Sequence, residues 1–200
     1  MRTGTLTATI VTAIASIATP LRAADPAIAN PAIVVRESQG VYSVVARFHV
    51  ARPPEVALAV LTDYERIPRF MPGVETSVVI ERAPGRAIVE QEATSRLMMF
   101  KKRVRLVLEI EEASDSLRFR DLCGQSFARY EGAWQLSEVS GGTDIVYDLT
   151  ARPAFDVPEF LLKRLLNRDS GQMIDGLRRE IERRSASSAA AQAAYNQEWW

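Results

Sequence analysis

The apolar residues of this chain alternate over most of its length and then change period once. Between residues 42 and 150 they mostly recur at every second position; from Pro158 they recur every three to four. A period of two belongs to a strand with one buried face, and a period near 3.6 to a helix with one apolar stripe. Tyr42, Val44, Ala46, Phe48 and Val50 oppose Ser43, Arg47 and His49. Val74, Thr76, Val78 and Ile80 oppose Glu75, Ser77 and Glu81 in the same way. Further alternating runs follow at Ala87 to Ser95, Phe100 to Ile110, Leu117 to Phe119, Ala128 to Leu136 and Ile145 to Leu149. Turns are expected at Pro84-Gly85, Ser114 to Ser116 and Gly141-Gly142. The pattern predicts about seven antiparallel strands joined by short turns. One helical stretch interrupts it, opening at Pro53-Pro54-Glu55 and ending near Tyr64, before Pro68, Pro72 and Gly73 break the chain. The last stripe is Leu161, Leu162, Leu165, Leu166, Met173, Ile174, Leu177 and Ile181. Gly171 and Gly176 lie inside it, each costing about 1 kcal/mol against Ala, so each marks a close backbone contact or a bend. The fold class is α+β: an antiparallel sheet whose apolar face is covered by a long C-terminal helix.

The flanks read differently. Residues 6 to 17 carry no charge, Pro20 follows, and Leu21 to Asp25 offer small residues for cleavage. Residues 1–24 therefore read as a secretory signal peptide. The apolar run is shorter than the roughly 20 residues of a membrane anchor. The expected location is exported and periplasmic, soluble after cleavage. Residues 25–35, with Pro26 and Pro31, read as a linker, 36–184 as the folded domain, and 185–200 as a flexible tail. The tail ends in Trp199-Trp200, a pair suited to a partner or a membrane interface.

Charge and rare residues exclude several chemistries. Lys plus Arg and Asp plus Glu each number 25, so the net charge is zero. A nucleic-acid binder working by bulk electrostatics would need a basic excess. The single Cys123 cannot form an internal disulfide or a cysteine metal site, and the single His49 excludes any site built on two histidines. His49 alternates with the core face and reads as an outer strand residue. Cys123 reads as a small turn residue, and Asp63 as a hydrogen-bonding group at a helix end. In the basic run from Lys101 to Arg105, alternation puts most of the charge on a solvated outer face.

Three motifs, in order, carry a resemblance to a known family. They are Ala51-Arg52-Pro53-Pro54-Glu55-Val56 leading to Val60-Leu61-Thr62-Asp63-Tyr64, Ile67-Pro68 and Phe70-Met71-Pro72-Gly73-Val74; Tyr130-Glu131-Gly132-Ala133-Trp134-Gln135-Leu136; and Pro158-Glu159-Phe160-Leu161-Leu162. The chain resembles the START/polyketide-cyclase superfamily, and within it the coenzyme Q-binding START-domain group and bacterial cyclase/dehydrase-like proteins. The resemblance implies a helix-grip fold, a curved sheet wrapped around the final helix, with a deep apolar cavity between them. It fixes neither ligand nor activity.

Small residues at inward positions, Ala87, Ala93, Ser95, Ala128 and Gly132, fit either a closely drawn helix or a space. With the resemblance, a space is expected, lined by Phe48, Leu106, Phe119, Tyr130, Trp134, Tyr147 and Met173. Gln91, Lys102 and Tyr130 are its polar candidates, and Phe70 and Met71 its gate, in a loop suited to membrane contact. The expected function is an exported carrier for a hydrophobic small molecule, a lipid or a quinone, with no cofactor, no metal and no nucleic acid. The alternatives are a cyclase/dehydrase-like enzyme using Asp63, Tyr130 or Gln91 for acid/base chemistry, and an adaptor acting through the tail.

Overall fold

The computed structural model describes residues 31–97 and 100–197, with side chains described outside 95–102 and 185–197. Eight strands form one antiparallel sheet: β1 (Ala32–Ser38), β2 (Val41–Val50), β3 (Val74–Ala83), β4 (Arg86–Leu97), β5 (Phe100–Glu112), β6 (Ser116–Asp121), β7 (Phe127–Val139) and β8 (Gly142–Pro153). Their order across the sheet is β1-β2-β8-β7-β6-β5-β4-β3. Hairpins join neighbours from β3 to β8. The passage from β2 to the opposite edge at β3 instead runs through α1 (Pro54–Leu61), a 3-10 turn (Tyr64–Arg66) and α2 (Ile67–Phe70). The long helix α3 (Glu159–Gln197) lies across the apolar face. This is the expected α+β architecture, a curved sheet gripping a C-terminal helix.

Sequence and packing agree most closely in β2, β8 and α3. In β2 the five even positions from Tyr42 to Val50 are all buried. In β8 Ile145, Tyr147, Leu149 and Ala151 point the same way. On α3, Ile174, Leu177 and Ile181 are each fully buried, closing the core under α1, where Ala57 and Val60 are also fully buried. Pro54 starts α1 at a position whose N–H has no partner in any helix, and Pro53 before it is extended.

Four readings of the sequence need correction. The stretch assigned to the linker contains β1 from Ala32 onward, which pairs with β2 in full register. Ile33 and Val35 pack against the core from there. Pro31 and the unbroken run Ala32-Ile33-Val34-Val35 hid the alternation. On β3 the apolar face is in the opposite phase: Ser77 is buried, while Val78 and Ile80 are more than half exposed. An irregularity between Val74 and Thr76 shifts the register by one, and a one-residue slip turns every following side chain over. A second irregularity, between Phe127 and Arg129, puts Phe127 in the core and leaves Ala128 exposed. Finally, residues 185–197, expected as a flexible tail, continue α3. That segment is rich in Ala, the strongest helix former, which sustains a helix without any apolar stripe. Residues 1–30 and Trp199-Trp200, and with them the leader and the terminal tryptophans, lie outside the described residues.

Candidate functional site

The apolar stripe of α3 is not buried evenly, and this locates the site. Its second half is sealed. Leu161, Leu165, Leu166 and Met173 keep exposed surface although they share the stripe's apolar character. A side chain on the covered face of a helix stays accessible only where the opposite wall is set back. A cavity of about 1030 Å³ fills that gap, between α3 and the strands β4, β5, β7 and β8. Its deep wall includes the buried Leu106, Tyr147 and Leu149, with Phe127 and Tyr130 beside them. Its rim is formed by Met71 to Glu75 and by the stretch from Phe155 to Phe160. Phe160 is 75% exposed there, which marks the rim as open to solvent and unusually apolar.

The sequence-predicted residues divide clearly. Met71, Gln91, Leu106, Tyr130, Tyr147 and Met173 line the cavity. Phe48, 1% exposed, is packed into the core. Trp134 is buried against Tyr147, their rings 4.4 Å apart. Phe119 stacks on Tyr147 at 6.3 Å. Phe70 lines a different groove, between α2 and α3. Lys102 belongs to β5, opposite Ser95, but its side chain lies outside the described ones.

The small inward residues also divide. Ala93 lines the cavity. Ala87 is simply packed, 1% exposed. Gly132 serves close packing: a Cβ there would meet the Phe119 ring at 2.7 Å and the Asp148 carbonyl oxygen at 2.1 Å. Its missing side chain is filled by Phe119 and adds nothing to the cavity.

The polar content of the cavity is sparse. Gln91 donates its amide to Ser77 Oγ at 3.2 Å. The hydroxyls of Tyr130 and Tyr147 are hydrogen-bonded to each other, and burial, the main cause, pushes both phenols above their ordinary range. Both are therefore neutral at physiological pH. Tyr130 is half-buried and lines the cavity. The pair uses one of its two O–H protons, which leaves the other available to an oxygen acceptor in the cavity. Thr94, at the same wall, has a buried hydroxyl with no hydrogen-bond partner among the described residues. Arg168 and Asp169 pair at 3.3 Å near the rim.

The remaining candidates lie away from this space. Asp63 pairs with Arg184 at 2.7 Å, tying the end of α1 to α3. His49 Nδ1 meets Asp144 at 2.9 Å, across β2 and β8. Cys123 is a free thiol directed at Asp121 and the Arg105 carbonyl. In the basic run, Arg105 pairs with Glu90 at 2.6 Å. Phe127, Thr94 and the loop from Phe155 were missed by sequence reasoning. Phe127 is hidden by its bulge. Thr94 occupies an outward parity position, and the loop has no periodicity to read.

Residues 50–178 match the family described as polyketide cyclase / dehydrase and lipid transport. The sequence matches none of the curated proteins. Among solved structures, the chain is similar to TTHA0849 from Thermus thermophilus, with 26% identity, a TM-score of 0.62, and coverage of 72% of this chain and 99% of that one. It is also similar in fold to a STAR-related lipid transfer protein from Xanthomonas axonopodis, at 15% identity and TM-score 0.60, covering 75% of this chain and 98% of that one. The Zhui aromatase/cyclase from Streptomyces gives 15% identity and TM-score 0.63, covering 72% and 96%.

Proposed function

Because the chain belongs to the polyketide cyclase/dehydrase and lipid transport family, we propose that it is an exported carrier for one hydrophobic small molecule, a lipid or a quinone. The observation that carries this reading is the cavity. Its volume of about 1030 Å³ stands at the upper end of the roughly 300–1,000 Å³ usual for ligand pockets. Its lining is mostly aliphatic and aromatic, with a few hydrogen-bonding groups. Moving apolar ligand surface out of water into such a space is worth roughly 2.5 kcal/mol per 100 Å². Tyr130 then orients the ligand by donating to an oxygen. The apolar rim around Met71, Pro72 and Phe160 suits brief contact with a membrane from which the ligand is collected. Among the described residues no helix is long and apolar enough to cross a membrane.

A second reading, a cyclase/dehydrase-like enzyme, draws support from the coupled phenols of Tyr130 and Tyr147 in the cavity. Asp63 is no part of it, being held by Arg184 outside the cavity. The two readings separate in one assay series. A carrier gains thermal stability from lipids or quinones and returns them unchanged. An enzyme converts a polyketide-like substrate and loses turnover in Tyr130→Phe. A protein that gains no stability from any such ligand overturns the carrier reading. Export is tested by fractionation and N-terminal sequencing, with a mature chain beginning near Asp25 as the expected result.

A further inference from the structure

On the other side of Met71 and Pro72 from the cavity, a second groove of about 560 Å³ lies between α2 and α3. Four arginines, Arg66, Arg69, Arg179 and Arg183, line it together with a single carboxylate, Glu180. That carboxylate is already engaged. Arg183 donates to both of its oxygens, at 2.8 and 2.7 Å, and Arg184 donates at 2.8 Å. Arg66 reaches Asp63 only at 3.9 Å, and Asp63 is held more closely by Arg184. Arg69 and Arg179 are exposed and pair with no carboxylate among the described residues.

The spacing of these charges is built into the backbone. Arg179 and Arg183 are one helical turn apart and share a face of α3. Gly176, one turn earlier, presses directly on α2: a Cβ there would lie 1.9 Å from the Phe70 carbonyl oxygen. The close approach brings Arg66 and Arg69 opposite Arg179 and Arg183. Like charges gathered in this way repel. The repulsion is relieved when an anion sits between them, and the planar fork of a guanidinium matches the paired oxygens of a phosphate.

We infer that the groove between α2 and α3 is a binding site for a phosphate-type oxyanion, presented as a lipid headgroup or as free phosphate. The headgroup is the favoured source, because Met71 and Pro72 belong to both this groove and the rim of the apolar cavity. The inference is independent of what the cavity holds.

The test uses the full chain and two probes at low salt: inorganic phosphate by titration calorimetry, and flotation with phosphatidylcholine vesicles with or without added phosphatidylglycerol. The key variant is Arg69→Gln combined with Arg179→Gln; the paired Lys substitutions preserve charge, and Arg118→Gln, at an exposed position of β6, is the control. Loss of two charge-assisted contacts is expected to weaken binding by about tenfold or more, with the control unchanged and the Lys pair in between. Binding should also fall as salt is raised. Binding to anionic vesicles alone identifies the headgroup as the source, and binding to inorganic phosphate identifies the free ion. Absence of binding to both probes, or equal binding by wild type and the double Gln variant, overturns the inference.

Discussion

Tyr130 and Glu180 show how single side chains acquire roles that neighbouring positions lack. Tyr130 is legible from the sequence: it falls on the inward parity of β7, in a stretch that keeps its register. Its neighbour Phe127 is not, because a bulge reverses the parity just before Arg129. No residue type announces a bulge here. Tyr130→Phe is expected to leave the fold intact and to weaken binding of oxygen-bearing ligands about tenfold. Pure hydrocarbons should bind unchanged, as titration with matched ligand pairs would reveal. Glu180 gives a pH prediction. Hydrogen bonds from Arg183, then from Arg184, hold its carboxyl down from 4.5 to about 2. A lowered folded pKa means stability that is fully present above 4.5 and is lost as pH falls towards about 2. Glu180→Gln should therefore melt below wild type at neutral pH. The gap should close as pH approaches 2, and a gap that persisted there would contradict the assignment.

Among the elements, the strands with one regular face and the sealed stretch of α3 from Ile174 to Ile181 are readable because burial acts on every residue of the period. The edges are not. On β3, at an edge of the sheet, one irregularity turns Val78 and Ile80 outward. On β1, at the other edge, neither face is fully sealed, so the sequence has little alternation to display. The two glycines of α3 look alike in the sequence but differ in kind. A Cβ at Gly171 would meet only Ile33, at an ordinary 3.7 Å, whereas at Gly176 it would collide with the Phe70 backbone. Gly171→Ala should stabilise the protein by up to about 1 kcal/mol through helix propensity. Gly176→Ala should gain the same propensity and still lose about 1–3 kcal/mol net, because α2 must move. Thermal or denaturant unfolding of the two variants checks both signs.

At the scale of the molecule, one helix does two jobs. The stretch from Ile174 to Ile181 closes the core beneath α1, and the stretch from Leu161 to Met173 roofs a space that the sheet leaves open. The sequence carries the existence of the stripe but not this division, since Leu165 and Leu177 are chemically identical and differ only in how far away the opposite wall stands. Of the small residues that suggest a space, Ala87 and Gly132 serve packing and Ala128 faces outward. Ala93 alone, among the described ones, lines it. That makes Ala93 the natural position at which to obstruct the cavity, and Ala93→Trp should push an indole into the space a ligand would occupy while leaving the core around Ile174 and Ile181 untouched. The most direct test is solvent extraction of the natively purified protein followed by mass spectrometry, with wild type and Ala93→Trp side by side. The predicted result is an apolar small molecule in stoichiometric amount from wild type and little or none from the variant. An empty wild-type protein, or equal recovery from both, would contradict the cavity's role as the binding site.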